Sequence, residues 1–350
     1  MGAIDRKDCR EVAVTDQEVK FGVRLLDDLG DATKLVQLGM LAEELGFDTL
    51  WYPHDAFRLN SWVLHSAVAA RTSRIELCAR ANPYTVDPSE VAAFVATLDD
   101  LSGGRVTLAL GCHNLDTMTW VGKEPSRILE RVREATSMVR RLLRGEIVTE
   151  TGPEFPGWTS KAYLRMPPKR PEIPVIVSAV GEDFLELSGE IGDGSMPMVT
   201  PPESAEDMMA SIQIGLDRSE VPDRKFDKCA FVWMSIAEQP DEAEALLADV
   251  IAYFGTYLEE RAVARLGLTV QDFVPAYRLA MQGDRAGARA AVTPTMLKTG
   301  ICGTPAQCID RIQGIVEAGF NHISIGGPLG PDPAEAMRLI SKAVIPAFRS

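Results

Sequence analysis

From Val19 to the C-terminus, short apolar runs alternate with longer stretches in which apolar residues recur every three or four positions. A run that is apolar on both faces suits a parallel strand covered by helices, and the longer stretches suit amphipathic helices. Strands are expected at 19–25, 47–52, from Ile75 to the stop at Asn82-Pro83-Tyr84, and at 105–110, 174–179, 194–198, 229–237 and 321–326. Helices are expected at 31–45, 60–71, 91–101, 127–144, 182–191, 204–218, 304–318 and 333–348. Gly46, Gly103-Gly104 and Gly145 close three of them, and Gly303-Thr304-Pro305 opens another as cap and first turn. Eight strands alternating with eight helices close as a (β/α)8 TIM barrel.

The alternation breaks twice. Residues 150–171 are rich in proline and contain Trp158 and Tyr163, which predicts a long ordered loop or a short hairpin over the barrel mouth. Residues 240–300 read as consecutive helices with no strand, an insertion between strand seven and its own barrel helix. The expected organisation is a poorly ordered lead-in at 1–18 and a single barrel domain at 19–350.

Composition narrows the partners. The net charge of −14 argues against nucleic acid and anionic membranes, which require basic surface. No apolar run approaches the roughly 20 residues of a membrane span, and the start of the chain lacks the apolar core of a secretory signal. Six cysteines without a CxxC pair predict reduced thiols and a cytoplasmic protein. Four histidines without paired spacing predict no metal site.

In a parallel barrel the C-terminal ends of the strands carry the chemistry. Asn82 stands where strand three stops, and Gly111, Cys112, His113 and Asn114 follow strand four. Cys112 and His113 are adjacent, so they point to opposite faces and are poor partners as a nucleophilic pair; contact with a bound ligand is the expectation. Ala179, Val180 and Gly181 lead into a helix whose first N–H groups suit a phosphate. Arg24, Arg58 and Arg80 suggest a basic cluster, unless they pair with Asp27, Asp55 or Glu76. Trp158 is a candidate lid over the substrate. Asp99, Asp100, Arg105, His65 and His322 are read as structural.

Leu98-Asp99-Asp100-Leu101-Ser102-Gly103-Gly104-Arg105 resembles the LDxLSxGR mark of the bacterial-luciferase-like superfamily. Asn82-Pro83-Tyr84 and the segment Gly326-Gly327-Pro328-Leu329-Gly330-Pro331-Asp332 resemble, more narrowly, the methylene-tetrahydromethanopterin reductases, which use the deazaflavin coenzyme F420. Ser178-Ala179-Val180-Gly181 is similar to the superfamily's phosphate loop. The resemblance covers residues 19–349. It implies a deazaflavin lying against a bulge after strand three, around Ala79, Arg80, Ala81 and Asn82, with a cis peptide between Ala79 and Arg80. It also implies a proton-donor or ring-contact role for His54, although Pro53 stands where relatives often have Asp. The reductases usually carry Glu at the position of Arg24 and Gly-x-Gly-Asp at residues 111–114, so both carboxylates are missing here.

The expected function is therefore a coenzyme F420-dependent oxidoreductase that moves a hydride between the deazaflavin and a small organic substrate. His54 is the expected catalytic residue. Ala79, Arg80, Ala81, Asn82, Gly111, Cys112, His113, Asn114, Ser178, Ala179, Val180 and Gly181 are expected at the cofactor, and Arg24, Arg58 and Trp158 at the substrate. The alternatives are an FMN-dependent monooxygenase served by a separate flavin reductase, and a non-catalytic flavin-binding protein. A homodimer is expected through small apolar faces on helices two and three, formed by Ala67, Val68, Ala69 and Ala70 with Val91, Ala92, Ala93, Val95 and Ala96. A wholly monomeric species in light scattering would refute it.

Overall fold

The computed structural model describes residues 18–112, 115–158, 160–221 and 224–349. The lead-in at 1–17 and the candidates His113 and Asn114 lie outside them. Nine parallel strands form one sheet: β1 (Lys20–Arg24), β2 (Thr49–Trp51), β3 (Glu76–Ala81), β4 (Val106–Leu110), β5 (Val175–Ala179), β6 (Gly194–Pro197), β7 (Asp227–Ile236), β8 (Ile301–Gly303) and β9 (His322–Leu329). β1 to β7 pair in sequence order, β7 pairs β9, and β9 pairs β1. The result is a closed eight-stranded (β/α)8 barrel. The additional strand, β8, lies alongside the end of β7, with Met234 opposite Ile301. The eighth barrel strand runs to Leu329, past the cis peptide Gly327–Pro328 and beyond the expected end at Gly326.

Strand and helix positions follow the sequence pattern within a few residues. β1 shows why: Phe21 and Val23 face the helices, while Lys20, Gly22 and Arg24 face the barrel interior. Gly22 is required there, since a Cβ would sit 2.1 Å from Thr49 Oγ1 and 3.2 Å from His322 Nε2. The insertion holds the helices Pro240–Phe254, Glu260–Ala264, Val274–Met281, Arg285–Ala290 and Pro294–Leu297. The proline-rich loop is irregular, with one antiparallel bridge between Val148 and Ala162.

On the helices Ser61–Ala69 and Pro88–Ser102, the barrel takes Val68, Ala69, Val91, Ala92 and Val95 into its own core. Of the residues expected at the dimer face, Ala67, Ala70, Ala93 and Ala96 remain partly or fully exposed, and Val63 on the same helix as Ala67 is exposed beside them. Among the described residues no helix is long and apolar enough to cross a membrane.

The barrel floor is polar. Lys20 Nζ lies 3.4 Å from Glu76 and 3.7 Å from Asp227. Asp227 contacts His322 Nδ1 at 3.0 Å, His322 Nε2 lies 2.8 Å from Thr49 Oγ1, and Trp51 Nε1 donates to the same hydroxyl at 3.1 Å. Asp227 holds His322 protonated well above the usual histidine range despite burial, and His322 in turn holds the Asp227 carboxyl down.

Candidate active site

The upper barrel is where sequence and geometry converge. Arg24 and Arg80 end β1 and β3 on the interior side and are only 6% and 4% exposed. Among the described residues neither guanidinium makes an ion pair or donates a hydrogen bond. Arg24 lies over the Phe231 ring, 4.4 Å from its centroid. Burial, with Arg80 adding repulsion, pushes Arg24 down to about 9; burial also lowers Arg80. Removing two like charges from water without a bound counter-charge is costly, so this pair is a structural cost that a ligand can offset.

Arg24 lines a cleft of about 530 Å³. One wall is aromatic: Phe231 and Trp233 from β7, then Tyr253, Phe254, Tyr257 and Tyr277 from the insertion. Trp233 and the four rings of the insertion form a connected set, with centroids 4.7 Å apart for Tyr253–Phe254 and 6.5 Å for Trp233–Phe254 and Tyr253–Tyr277. Phe57 and Trp120, each 69% exposed, face one another at the mouth. The opposite side brings Asp27, Asp28, Asp55 and Arg58. Arg58 is ion-paired with Asp27, so the three-arginine cluster reduces to Arg24 and Arg80 as cations without a carboxylate of their own.

His54 follows β2. Its Nδ1 lies 3.0 Å from Ser61 Oγ, and its ring stacks on Trp62 at 4.9 Å, which stacks on Phe94 at 4.0 Å. Trp62 Nε1 also donates to the Arg80 carbonyl at 3.0 Å, fixing the end of β3. Burial lowers the His54 pKa, Arg80 lowers it further and Asp55 opposes both, so the ring is held neutral. His54 does not line the aromatic cleft, but Asp55, its neighbour in sequence, does.

β3 stays in regular register with β4 through Ala81, with Ala79 opposite Leu108, Arg80 opposite Ala109 and Ala81 opposite Leu110. The peptide between Ala79 and Arg80 is not cis, contrary to expectation; the cis bond among the described residues is Gly327–Pro328. The unbroken ladder leaves no bulge before Asn82. There the chain turns, with the Asn82 side chain accepting from Tyr84 N–H and donating to Met118 Sδ at 3.5 Å. Cys112 is buried beside Met118, and burial pushes its thiol up to about 12, which rules against a thiolate nucleophile.

β5 delivers the remaining candidates. Ser178 is fully buried and its Oγ has no hydrogen-bond partner. Gly181 has φ of 94°, a conformation that disfavours other residues, and the helix Glu182–Ile191 starts there without a side-chain cap. The Gly181 N–H meets the half-buried carboxylate of Glu259, and Arg261 pairs with Glu182 at 2.5 Å. Burial nevertheless raises Glu259.

Trp158 does not reach the cleft. It packs with Phe155 against Ala135 and Met138 on the outer helix Ile128–Leu143, and its Nε1 lies 3.4 Å from Asp87. Arg131 holds this loop down by bonding the Glu154 carbonyl at 2.7 Å. Its apolar and backbone contacts are satisfied there, which makes it scaffold. The aromatic wall of the insertion and the acidic rim at Asp28 and Asp55 were not expected. The only available signal was the spacing of Tyr253, Phe254 and Tyr257, in a segment read simply as helical.

The family profile described as luciferase-like monooxygenase matches residues 17–322. The chain belongs to that family. It is 30% identical over 338 residues to the 5,10-methylenetetrahydromethanopterin reductase of Archaeoglobus fulgidus, covering 95% of this chain and all of the relative. It is 26% identical to the F420-dependent glucose-6-phosphate dehydrogenase of Kineococcus radiotolerans, over 95% of this chain and 98% of the relative. The solved structure of the coenzyme F420-dependent tetrahydromethanopterin reductase from Methanopyrus kandleri superposes with a TM-score of 0.87 at 26% identity, covering 95% of this chain and all of that one.

In this luciferase-like protein the segment Leu98 to Arg105 is scaffold, as its sequence suggested. Asp99 is buried, is held by Arg170, and accepts from Val106 N–H at 3.2 Å. Arg105 donates to the carbonyls of Ile75, Ser102, Thr72 and Ala69. The motif ties two helices to the start of β4, at the end of the barrel away from the cleft. His65 is likewise a packing residue: burial pushes it down to about 3, so it is neutral against Tyr52.

Proposed function

We propose that this chain is a coenzyme F420-dependent oxidoreductase, exchanging a hydride between the deazaflavin and a small organic substrate. The observation that carries the reading is the end-to-end similarity, at 30% identity, to a methylenetetrahydromethanopterin reductase. The local chemistry fits the cofactor. A buried hydroxyl without a partner at Ser178 suits the phosphate end, as does the helix start at Gly181 once the Glu259 carboxylate that meets its N–H gives way. The interior ends of β3 and β4, at Arg80, Asn82, Gly111 and Cys112, are the proposed site of the ring. The aromatic cleft between β1, β7 and the insertion is then left to the substrate.

When bound, the deazaflavin supplies hydride chemistry at C5. The protein orients the two reactants and handles the accompanying proton. A neutral His54 is in the state of a proton acceptor when substrate is oxidised, and the same imidazole returns the proton in reverse. The aromatic wall sheds water from the reacting face.

Paired fluorescence titrations with F420 and FMN test this reading. Micromolar or tighter F420 binding with weak FMN binding is expected. Preference for FMN, with oxygen uptake in the presence of reduced flavin, would replace it with the monooxygenase activity named in the family description.

Glu259 makes the phosphate assignment testable separately. Its carboxylate meets the N–H proposed for phosphate, so it must yield or repel. Glu259→Gln is expected to tighten F420 binding about tenfold at pH 7 and to flatten the pH dependence of affinity. In the wild type, affinity should rise as pH falls, because the raised carboxyl becomes neutral. Unchanged affinity in the variant would move the phosphate elsewhere.

A further inference from the structure

The cleft beside Arg24 has two properties that together specify a ligand. Its wall is a connected aromatic set, which favours a flat apolar body by stacking and desolvation. Its inner end is a guanidinium, 94% buried by accessible area, without a carboxylate partner among the described residues. We infer that the cleft binds a planar, aromatic or conjugated organic acid, with the carboxylate held by Arg24 and the ring lying between Phe231, Trp233 and the insertion tyrosines.

Arg24 is held in place for this role. Phe231 occupies the space that a side chain at position 326 would fill, since a Cβ on Gly326 would approach its ring to 2.4 Å. Gly326 pairs with Arg24 across the β1–β9 ladder and with Trp233 across the β7–β9 ladder. The missing side chain thus lets Phe231 lean under the guanidinium. Arginine over an aromatic face keeps its N–H edge free for bidentate contact with a carboxylate.

The nearby acids do not consume this cation. Asp27 is committed to Arg58; Asp28 and Asp55 form no ion pair with Arg24 among the described residues, although both attract it from a distance. Arg80 adds a second positive charge from β3. Asp27, Asp28 and Asp55 match Arg24, Arg58 and Arg80 in number, so the attraction for an anion is local to Arg24 and Arg80 at the inner end and is not a property of the whole cleft.

Calling this ligand the substrate rests on the oxidoreductase reading, but its binding does not require it. The test uses benzoate, benzamide and butyrate as probes, titrated into purified protein with and without saturating F420. Tryptophan emission is the readout, since Trp233 and Trp120 line the cleft. Benzoate is expected to bind about tenfold or more tightly than either benzamide or butyrate. Arg24→Met should lose that preference while retaining F420 affinity and unfolding at a midpoint no lower than the wild type's, and Arg24→Lys should retain part of the preference. Equal binding of benzoate and benzamide would overturn the proposal. So would loss of F420 affinity in Arg24→Met with benzoate binding intact, because the anion would then belong to the cofactor. If F420 fails to bind the wild type while benzoate behaves as described, the cofactor assignment falls and the acid-binding cleft stands.

Discussion

Asp227→Asn is expected to lower the unfolding free energy by about 3 kcal/mol, the low end of the range for breaking a buried ion pair. The low end applies because His322, once deprived of its partner, can shed its proton and avoid remaining an uncompensated buried charge. His322 is fully buried, while Asp227 is 19% exposed toward the lower mouth of the barrel. The pair also links the ladders of β1, β2, β7 and β9 through Thr49 and Trp51. Urea denaturation reads the effect as a lower midpoint at constant slope.

The pH dependence of that loss has a definite sign. His322 is raised in the folded state, so its stabilisation is fully present below its unfolded value, 6.5, and is lost as pH rises through the raised folded value. Asp227 is depressed, so its stabilisation is present above 3.8 and is lost as pH falls through the lowered folded value. Wild-type stability should therefore decline as pH increases above about 6.5, and Asp227→Asn should reduce that slope. Equal slopes in the two proteins would remove the charged pair as the cause.

The barrel was legible because its strands are buried on both faces and separated by amphipathic helices. In β1, alternate residues sort to core and interior even though Lys20 and Arg24 interrupt the apolar run. What escaped was what lacks a local signal. β8 is only three residues, Ile301–Gly303, too short to stand out from the helices before it. The register of β3 beyond Cys78 depends on its pairing with β4, which composition does not report, and the bulge expected there is absent. The site divided in the same way. Arg24, Arg80 and Ser178 lie at strand ends and Gly181 opens the helix after β5, so position alone makes them candidates. Tyr253, Phe254, Tyr257 and Tyr277 reach the cleft only because the insertion folds back over β7. Arg58 lines the cleft, but its pairing with Asp27 depends on how the turn after β1 meets the loop after β2. Trp158 was misjudged because a tryptophan in a loop can be anchor or lid, and only its contacts with Phe155, Ala135 and Met138 decide which.

His54→Ala is expected to reduce turnover by about 10²–10⁴-fold, the usual contribution of a positioned acid–base group, with F420 affinity changed by less than about threefold. The two effects separate because the imidazole is held by Ser61 and Trp62, whereas the proposed cofactor contacts come from β3, β4 and β5. His54→Gln keeps a polar group near Ser61 but cannot carry the proton, so it should be nearly as slow as the alanine variant. In the substrate-oxidising direction the neutral ring is the active form. Since burial lowers its pKa, wild-type turnover should hold through neutral pH and fall on the acid side, with a midpoint below the free-histidine value of about 6.5. That acid limb should disappear in both variants. A variant with undiminished turnover would remove His54 from the proton path. Weakened F420 binding with turnover unchanged at saturation would make it a ring contact, leaving Asp55, beside it in sequence and on the cleft wall, as the next group to test.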